Sequence, residues 1–234
     1  MPNQRPLVFP VIHVQHAERT MDNAAMAFEA GCDGVFLISM DGHDELLEAQ
    51  ARAVKARWPH NLVGINFLSH RPEDAIRTCA EAGLDMTWID NAQVHTEQTL
   101  DVAQRVVKEL QRHSDHKLFG GVAFKYQLPE PNPGRAAVRA QDLGIIPTTS
   151  GVGTGHAADV SKIADMCKAL RGGPLAIASG ITPDNVLQYA PYLSHILVAT
   201  GVSKNEHDFD FELLCQLMGK LNNSPTLAPA GAVC

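Results

Sequence analysis

Glycines and hydroxyl side chains recur together in three short segments of the last third of this 234-residue chain. The segments are residues 150–156 (SGVGTGH), 179–185 (SGITPDN) and 200–203 (TGVS). Glycines let backbone amides approach an anion, and Ser and Thr hydroxyls can donate to it. One such segment is typical of an ordinary turn or helix cap, but three in succession predict a phosphate site. The candidate donors are the amides around glycines 151, 153 and 155, the Thr154 hydroxyl, the amides of Ser179 and Gly180, and the glycine and hydroxyls of residues 200–203.

Three titratable residues are the candidates for catalysis: Lys125, Asp90 and His13. Lys125 follows the apolar run 121–124, where burial would disfavour its charged form. It can therefore serve as a base, form a Schiff base or pair with a substrate anion. Asp90 can act as a general base or accept a ribose hydroxyl, and His13 can transfer protons near neutral pH. The structural alternatives are an ion pair between Lys125 and Asp90 and a hydrogen-bonded core position for His13.

Asn66 and His156 are candidates for contacts with the substrate. The structural alternative for Asn66 is a hydrogen bond to loop backbone. For His156 it is a cap at the predicted start of the sixth helix or a position that faces solvent. A metal held by His13, Asp90 and His156 would need ligands from three separate strand ends. Because these residues lack the spacing of ligands on one helix, no metal site is predicted.

A repeated local signature indicates the scaffold that positions these residues. A helix end, a glycine and a short apolar run follow one another at Gly31, Gly83 and Gly144. Such a glycine is typical of a left-handed helix terminus, and the run is typical of a strand buried on both faces. Amphipathic helices alternate with the apolar runs. The predicted strands are residues 7–14, 34–38, 62–67, 86–90, 118–124, 145–150, 175–179 and 196–200.

Eight such units predict a single-domain (β/α)₈ TIM barrel over residues 1–221, followed by a flexible tail over residues 222–234. No GxGxxG motif follows the first strand, which disfavours an open dinucleotide-binding sheet. In a barrel, every candidate residue would lie at the carboxyl end of a strand or in the loop after it. Barrels place their binding sites at that end.

The composition argues against several classes of partner. Asp and Glu outnumber Lys and Arg by 26 to 19, and no basic run is present, so nucleic-acid binding is not expected. The apolar stretch 7–14 contains a histidine and is too short to span a membrane, so membrane insertion is not expected either. Five cysteines without a CxxC pair are typical of a reducing compartment, which predicts a cytoplasmic protein. A homo-oligomer remains open.

Residues 145–205 resemble phosphoribosylanthranilate isomerase and related phosphate-binding barrels, whose loops read GGTG and then GG or SG followed by [IL]-T-P-[ED]-N. The resemblance implies that seven residues surround a phosphate group: Gly153, Thr154, Gly155, Ser179, Gly180, Thr200 and Gly201. It does not imply the isomerase activity. That family's catalytic cysteine in the first loop and aspartate at the end of the sixth strand are replaced here by residues 12–14 (IHV) and 148–150 (TTS).

Over its whole length the chain resembles the BtpA family of TIM barrels. The resemblance lies in residues 11–14 (VIHV), 31–37 (GCDGVFL), 63–66 (VGIN) and the three glycine segments. Some members of that family are linked to photosystem I biogenesis, and others are described as nucleotide-related. The resemblance implies the barrel and the phosphate site, but no named reaction.

Three functions fit these observations. The favoured one is an enzyme, an isomerase, lyase or transferase, acting on a phosphorylated metabolite of the phosphoribosyl or nucleotide-related kind and using no cofactor. One alternative is a non-catalytic BtpA-like binding or assembly factor that retains the phosphate pocket. The other is an FMN-dependent oxidoreductase, since the phosphate of FMN occupies the same kind of barrel site. Polar residues at the predicted mouth favour the enzyme, because a scaffold could replace them with apolar ones.

Overall fold

The protein is a closed (β/α)₈ barrel, as its sequence predicts. The computed structural model describes residues 5–97 and 101–224. Its strands are β1 (Leu7–His13), β2 (Gly34–Ile38), β3 (Leu62–Asn66), β4 (Met86–Ile89), β5 (Lys117–Gly121), β6 (Ile146–Thr149), β7 (Ala176–Ala178) and β8 (His195–Val198). All neighbouring strands are parallel and follow one another in chain order, and β8 pairs with β1 to close the barrel.

A helix follows each strand and covers the outside of the barrel. The helices are α1 (Ala17–Glu29), α2 (Leu47–Arg57), α3 (Pro72–Glu81), α4 (Asp101–Arg112), α5 (Pro133–Asp142), α6 (Val160–Leu170), α7 (Val186–Tyr189) and α8 (Phe211–Asn222). None of the helices in the described ranges is long and apolar enough to cross a membrane.

The repeated glycine signature shows how a helix returns to the sheet. Gly31 has φ +87°, a left-handed conformation, shortly after α1. Two residues later, Asp33 accepts a hydrogen bond at 2.8 Å from the amide of Val8 on the neighbouring strand. Asp33 also pairs with the guanidinium of Arg5 at 2.7 Å. The residue two positions after this glycine therefore links the amino ends of β1 and β2.

The inside of the barrel is a packed apolar core. Phe9, Phe36 and Phe119 contact one another edge to face, with ring centroids 5.3 to 5.9 Å apart. A second, larger apolar cluster fills the space between the strands and the helices. Because the core fills the barrel, a ligand can approach its interior only at the rim.

The carboxyl end of β5 differs from the prediction. The strand was predicted to reach residue 124, but it ends at Gly121 because the chain turns at Ala123, whose φ is +48°. Lys125 therefore lies in the loop after β5 and does not end the strand. Most of the other strands are also one or two residues shorter than predicted.

The start of α6 and the end of the chain differ as well. α6 begins at Val160, with Asp159 as its N-cap, so His156 neither starts nor caps this helix. α8 extends to Asn222, one residue into the predicted tail. The remainder of that tail from residue 225 onward lies outside the described residues.

Candidate functional site

A cavity of about 80 Å³ lies at the carboxyl end of the barrel. Every strand except β3 contributes to its lining, through its last residues or the loop after it. Five of the predicted site residues meet around this space, and three of them belong to the three predicted phosphate loops. The lining residues are Val11, His13, Ile38, Met40, Trp88, Lys125, Thr154, Ala178, Ser179, Leu197, Ala199 and Thr200.

His13 occupies the last position of β1 and is half-buried. Its Nδ1 is buried and has no hydrogen-bond partner among the described residues. Burial lowers the pKa of His13 below its ordinary value, and the charge of Lys125 lowers it further, whereas Glu206 and Asp41 oppose the shift. The imidazole is therefore neutral near pH 7 and can accept a proton.

Lys125 faces the predicted phosphate loop. Its backbone is fixed between two left-handed residues, Ala123 and Tyr126 (φ +48° and +64°), and its amide donates to the Ser150 hydroxyl at 2.8 Å. Its ammonium donates to the Thr154 hydroxyl at 3.1 Å. Hydrogen bonds from the Thr154 side chain and amide also lower the pKa of Tyr126. The loop after β5 is thus joined to the loop after β6 through Thr154.

Asp90 and Asn66 bind each other at one side of the cavity and do not line it. The Asn66 amide donates to the Asp90 carboxylate at 3.0 Å. Burial raises the pKa of Asp90, while Asn66 and the charge of Lys125 partly oppose the rise. No ion pair between Asp90 and Lys125 forms within 4.0 Å in the described structure, so the structural alternative for Lys125 is not realised. The Asn66 side chain therefore donates its hydrogen bond to Asp90 and not to loop backbone.

The three predicted phosphate loops pack directly against one another. A Cβ at Gly180, which has φ +75°, would lie 2.4 Å from the backbone of Ala157. A Cβ at Gly201 would lie 1.8 Å from the carbonyl oxygen of Ile181. These two glycines are therefore required by contacts between loops, independently of any ligand. Their contribution to an anion site is to bring the three loops to one point.

Backbone amides in these loops are available to an anion. Within residues 5–97 and 101–224, the amides of Gly153, Gly155, Ser179 and Gly180 donate to no backbone carbonyl. Ser179 also has φ +89°, a strained conformation for a residue with a side chain. Strain of this kind is retained where the surrounding structure fixes it, often at binding sites. The loops thus present unpaired donors beside a cavity that Thr154, Ser179 and Thr200 line.

His156 is exposed and lies away from the cavity lining. Its Nδ1 is 3.1 Å from the carbonyl oxygen of Thr154, within its own loop. The structure therefore gives it a local role in shaping the loop that carries Gly153 and Thr154, and it does not place it at the cavity with His13 and Lys125. In the described part of the chain, no group of three His, Cys, Asp or Glu side chains is arranged to hold a metal ion.

Lys162 was not among the predicted site residues, but it supports two of them. Its ammonium donates to the carbonyl oxygens of Ala123 at 2.6 Å and Ser150 at 3.0 Å. Burial lowers the pKa of Lys162. The side chain therefore ties the loop that carries Lys125 to the loop that carries Thr154. In the sequence it is one of two lysines on an amphipathic helix, and nothing distinguishes it from Lys168.

Comparisons with known proteins identify the fold. No family model matches the sequence, and no curated protein matches it. Among solved structures, the chain is similar to phosphoribosyl anthranilate isomerase from Thermus thermophilus, with a TM-score of 0.67 and 18% identity, covering 92% of this chain and 98% of that one. It is also similar to KGPDC from Streptococcus mutans in complex with D-R5P, with a TM-score of 0.68 and 9% identity, covering 93% and 97%.

A third similar structure is phosphoribosyl anthranilate isomerase in complex with reduced 1-(o-carboxyphenylamino)-1-deoxyribulose 5-phosphate. Its TM-score is 0.66 and its identity 13%, covering 94% of this chain and all of that one (100%). At these identities the likeness establishes the TIM-barrel fold. The function has to be argued from the site.

Proposed function

We propose that this protein is an enzyme that acts on a phosphorylated small metabolite of the phosphoribosyl or nucleotide-related kind. One observation carries the proposal: a single cavity is lined by Thr154, Ser179 and Thr200 from the three predicted phosphate loops and also by His13 and Lys125. A binding group for phosphate and two groups able to move or stabilise charge therefore share one space. That combination is what an enzyme for a phosphorylated substrate requires.

Each group has a definite chemical role in this proposal. The free amides of Gly155 and Gly180 and the hydroxyl of Thr154 bind the phosphate. The ammonium of Lys125 polarises a carbonyl or stabilises negative charge that develops next to it. The neutral imidazole of His13 accepts the proton that leaves. Proton transfer with carbonyl polarisation is the common chemistry of the isomerases and lyases in the predicted class.

Other observations support the phosphate part of the proposal. The similar structures have names that include phosphoribosyl anthranilate, D-R5P and a deoxyribulose 5-phosphate. The BtpA-like segments fit a barrel with such a site, and we propose that relationship on those segments.

Thermal shift with a panel of ligands tests the phosphate site. The panel contains inorganic phosphate, D-ribose 5-phosphate, phosphoribosyl pyrophosphate, AMP and FMN. A ligand at 100 times its Kd should stabilise the wild type by about 2.7 kcal/mol, which corresponds to roughly 5–10 °C in Tm for a protein of this size. The disruptive variant is Thr154→Glu, which places a carboxylate at an exposed position of the cavity lining.

The matched control is Ser114→Glu, which makes the same charge change at an exposed position before β5, at the opposite end of the barrel. We expect a phosphorylated ligand to stabilise the wild type and Ser114→Glu but not Thr154→Glu. If no ligand stabilises the wild type, or if Thr154→Glu responds equally, the proposed site is wrong. If FMN alone stabilises the protein and gives a yellow complex, the oxidoreductase alternative replaces the proposal.

His13→Gln separates an enzyme from a binding factor. The variant removes the proposed proton acceptor without changing the phosphate loops, so it should bind the lead ligand as tightly as the wild type. Turnover of that ligand, measured by NMR of the reaction mixture, should fall by at least about 100-fold. Wild-type binding without turnover would favour the assembly factor.

A further inference from the structure

Four residues lie side by side on adjacent strands, at the carboxyl ends of β1 to β4. Strand register pairs His13 with Ile38, Ile38 with Asn66, and Asn66 with Trp88. Residues paired in register in a parallel sheet point to the same face. His13, Ile38 and Trp88 line the cavity, and Asn66 is fully buried beside Trp88.

Three of these four residues carry a buried polar atom without a partner. The atoms are His13 Nδ1, Asn66 Oδ1 and Trp88 Nε1, and they account for three of the seven such side-chain atoms in the described residues. An unsatisfied buried donor or acceptor is destabilising. Two of the three, on His13 and Trp88, belong to residues that line the cavity, so a ligand bound there can supply the missing partners.

Packing holds the Trp88 donor in place. Its indole contacts Phe36 at 6.0 Å and Phe124 at 6.2 Å between ring centroids, both close to edge on. Trp88 is 6% exposed, so its ring has little freedom to turn toward another acceptor. Asn66, which is paired with Trp88 in strand register, is held in place because its amide nitrogen donates to Asp90.

The Trp88 donor, which lines the cavity, defines the complementary group. An indole N–H can only donate, so its partner in a ligand is an oxygen with a free lone pair, such as that of a hydroxyl. We propose that the Trp88 N–H forms a hydroxyl subsite, and that the substrate is a hydroxylated sugar phosphate with the phosphate at the glycine loops and a hydroxyl at Trp88. This inference rests on the proposed function.

The size of the cavity fits such a substrate. At roughly 10–15 Å³ for each water-sized group, a space of about 80 Å³ holds on the order of five to eight groups. That is enough for a short hydroxylated carbon chain, with the phosphate at the glycine loops beside the cavity. The same cavity is lined by Trp88 and by Thr154, Ser179 and Thr200, so one small molecule can contact both subsites.

Calorimetric titration with two ligands tests the subsite. Inorganic phosphate reports on the glycine loops alone, and D-ribose 5-phosphate reports on both subsites. We expect the wild type to bind D-ribose 5-phosphate at least about tenfold more tightly than inorganic phosphate. Trp88→Phe removes the N–H and keeps an aromatic ring, so it should weaken D-ribose 5-phosphate binding about five- to tenfold and leave the Kd of inorganic phosphate unchanged.

Trp58→Phe is the matched control, because Trp58 is the second of the chain's two tryptophans and packs on Phe28 at 5.1 Å on the outside of the barrel. It should bind both ligands like the wild type. Equal affinities of the wild type for the two ligands, or an unchanged D-ribose 5-phosphate Kd in Trp88→Phe, would overturn the hydroxyl subsite while leaving the phosphate site intact. Absence of any phosphate binding by the wild type would instead reject the proposed function.

The control variant also gives a measurement that does not depend on the stability of Trp88→Phe. In Trp58→Phe, Trp88 is the sole tryptophan, so emission reports on the proposed subsite. Saturation with D-ribose 5-phosphate should change the emission of this variant, and saturation with inorganic phosphate should leave it unchanged. An emission that stays constant while D-ribose 5-phosphate binds would show that no ligand group reaches Trp88.

Discussion

Polar side chains at the two ends of the barrel differ in whether they have hydrogen-bond partners. At the amino end, Asp33 accepts from the Val8 amide and pairs with Arg5. Asp85 likewise accepts from the Val63 amide at 2.8 Å and pairs with Lys55 at 2.8 Å. Even the buried His195 has a partner, the Ser194 hydroxyl at 2.7 Å.

At the carboxyl end, the polar atoms of His13, Asn66 and Trp88 lack partners in the described residues, and Ser179 is strained. The same alternation of strands and helices builds both ends, so the difference does not come from the fold. It indicates that Asp33, Asp85 and His195 stabilise the amino end of the barrel. Under the proposed function, the polar groups at the carboxyl end bind a ligand. Variants at the two ends should therefore change different measured quantities.

The largest effect is expected from His195, at the amino end of β8. Burial lowers the pKa of His195 to about 4, while an unfolded chain takes up the same proton near 6.5. As the pH falls between these values, the proton binds the unfolded chain first. The free energy of unfolding should therefore fall by on the order of 3 kcal/mol from this residue alone. Denaturant unfolding at several pH values measures the change.

His195→Phe should flatten that pH dependence, because the variant has no proton to take up at this position. His60→Phe, at an exposed position, is the control and should retain the wild-type slope. A slope that is identical in His195→Phe and the wild type would contradict the assignment of a buried neutral histidine at this end.

Asp85→Ala should give the next largest loss of stability. The substitution leaves the Val63 amide without an acceptor and Lys55 without its partner, and we expect about 2 kcal/mol less stability, or roughly 4–8 °C in Tm. The affinity for inorganic phosphate should not change, since Asp85 lies at the other end of the barrel. Asp115→Ala, which removes an exposed carboxylate nearby, serves as the control. Weaker phosphate binding in a folded Asp85→Ala would break the separation between the two ends.

Lys162→Met tests the tie between the loops after β5 and β6. Without its ammonium, the carbonyl oxygens of Ala123 and Ser150 lose their shared donor, and the loops become less well positioned. We expect inorganic phosphate to bind about fivefold more weakly by calorimetry, a change of about 1 kcal/mol. Lys168→Met, exposed on the same helix, should bind normally, and Lys162→Arg should recover part of the loss. An unchanged Kd in Lys162→Met would show that the tie does not position the site.

Asp90→Asn should have the smallest effect on stability, and in the stabilising direction. Burial raises the pKa of Asp90, so the ionised carboxylate is costly in the folded protein above the ordinary pKa of about 4. The neutral amide avoids this cost while keeping an oxygen for Asn66. At pH 7.5 we expect Tm to rise by about 2–4 °C, with the gain disappearing as the pH approaches 4. A lower Tm at pH 7.5 would mean that the charged carboxylate stabilises this end.

The sequence predicts the architecture well, because each strand is a short apolar run and a glycine marks the end of several helices. It predicts the ends of elements less well. The run 121–124 is apolar, as a strand would be, but its Ala123 turns the chain, and a left-handed alanine has no signature in the sequence. For this reason Lys125 lies in the loop after β5 and not at the end of the predicted strand.

The site could be predicted only where residue type and position coincide. The glycine loops and His13 meet this condition, and the structure brings Thr154, Ser179, Thr200 and His13 to one cavity. Trp88 does not meet this condition, because an aromatic residue within a strand is typical of core packing. Its role depends on an unpartnered N–H, which only coordinates can show. Conversely, His156 follows a glycine loop in the sequence but turns back onto its own loop in the structure.

The central claim is that the glycine loops at the carboxyl end bind phosphate, and NMR of protein labelled with ¹⁵N-glycine tests it most directly. Titration with inorganic phosphate should shift the amide resonances of Gly153, Gly155 and Gly180. The resonances of Gly31, Gly83 and Gly144, left-handed glycines at the amino end, should stay in place. If no resonance shifts at saturating phosphate, or if only glycines at the amino end respond, the account of the carboxyl end as a phosphate site is wrong.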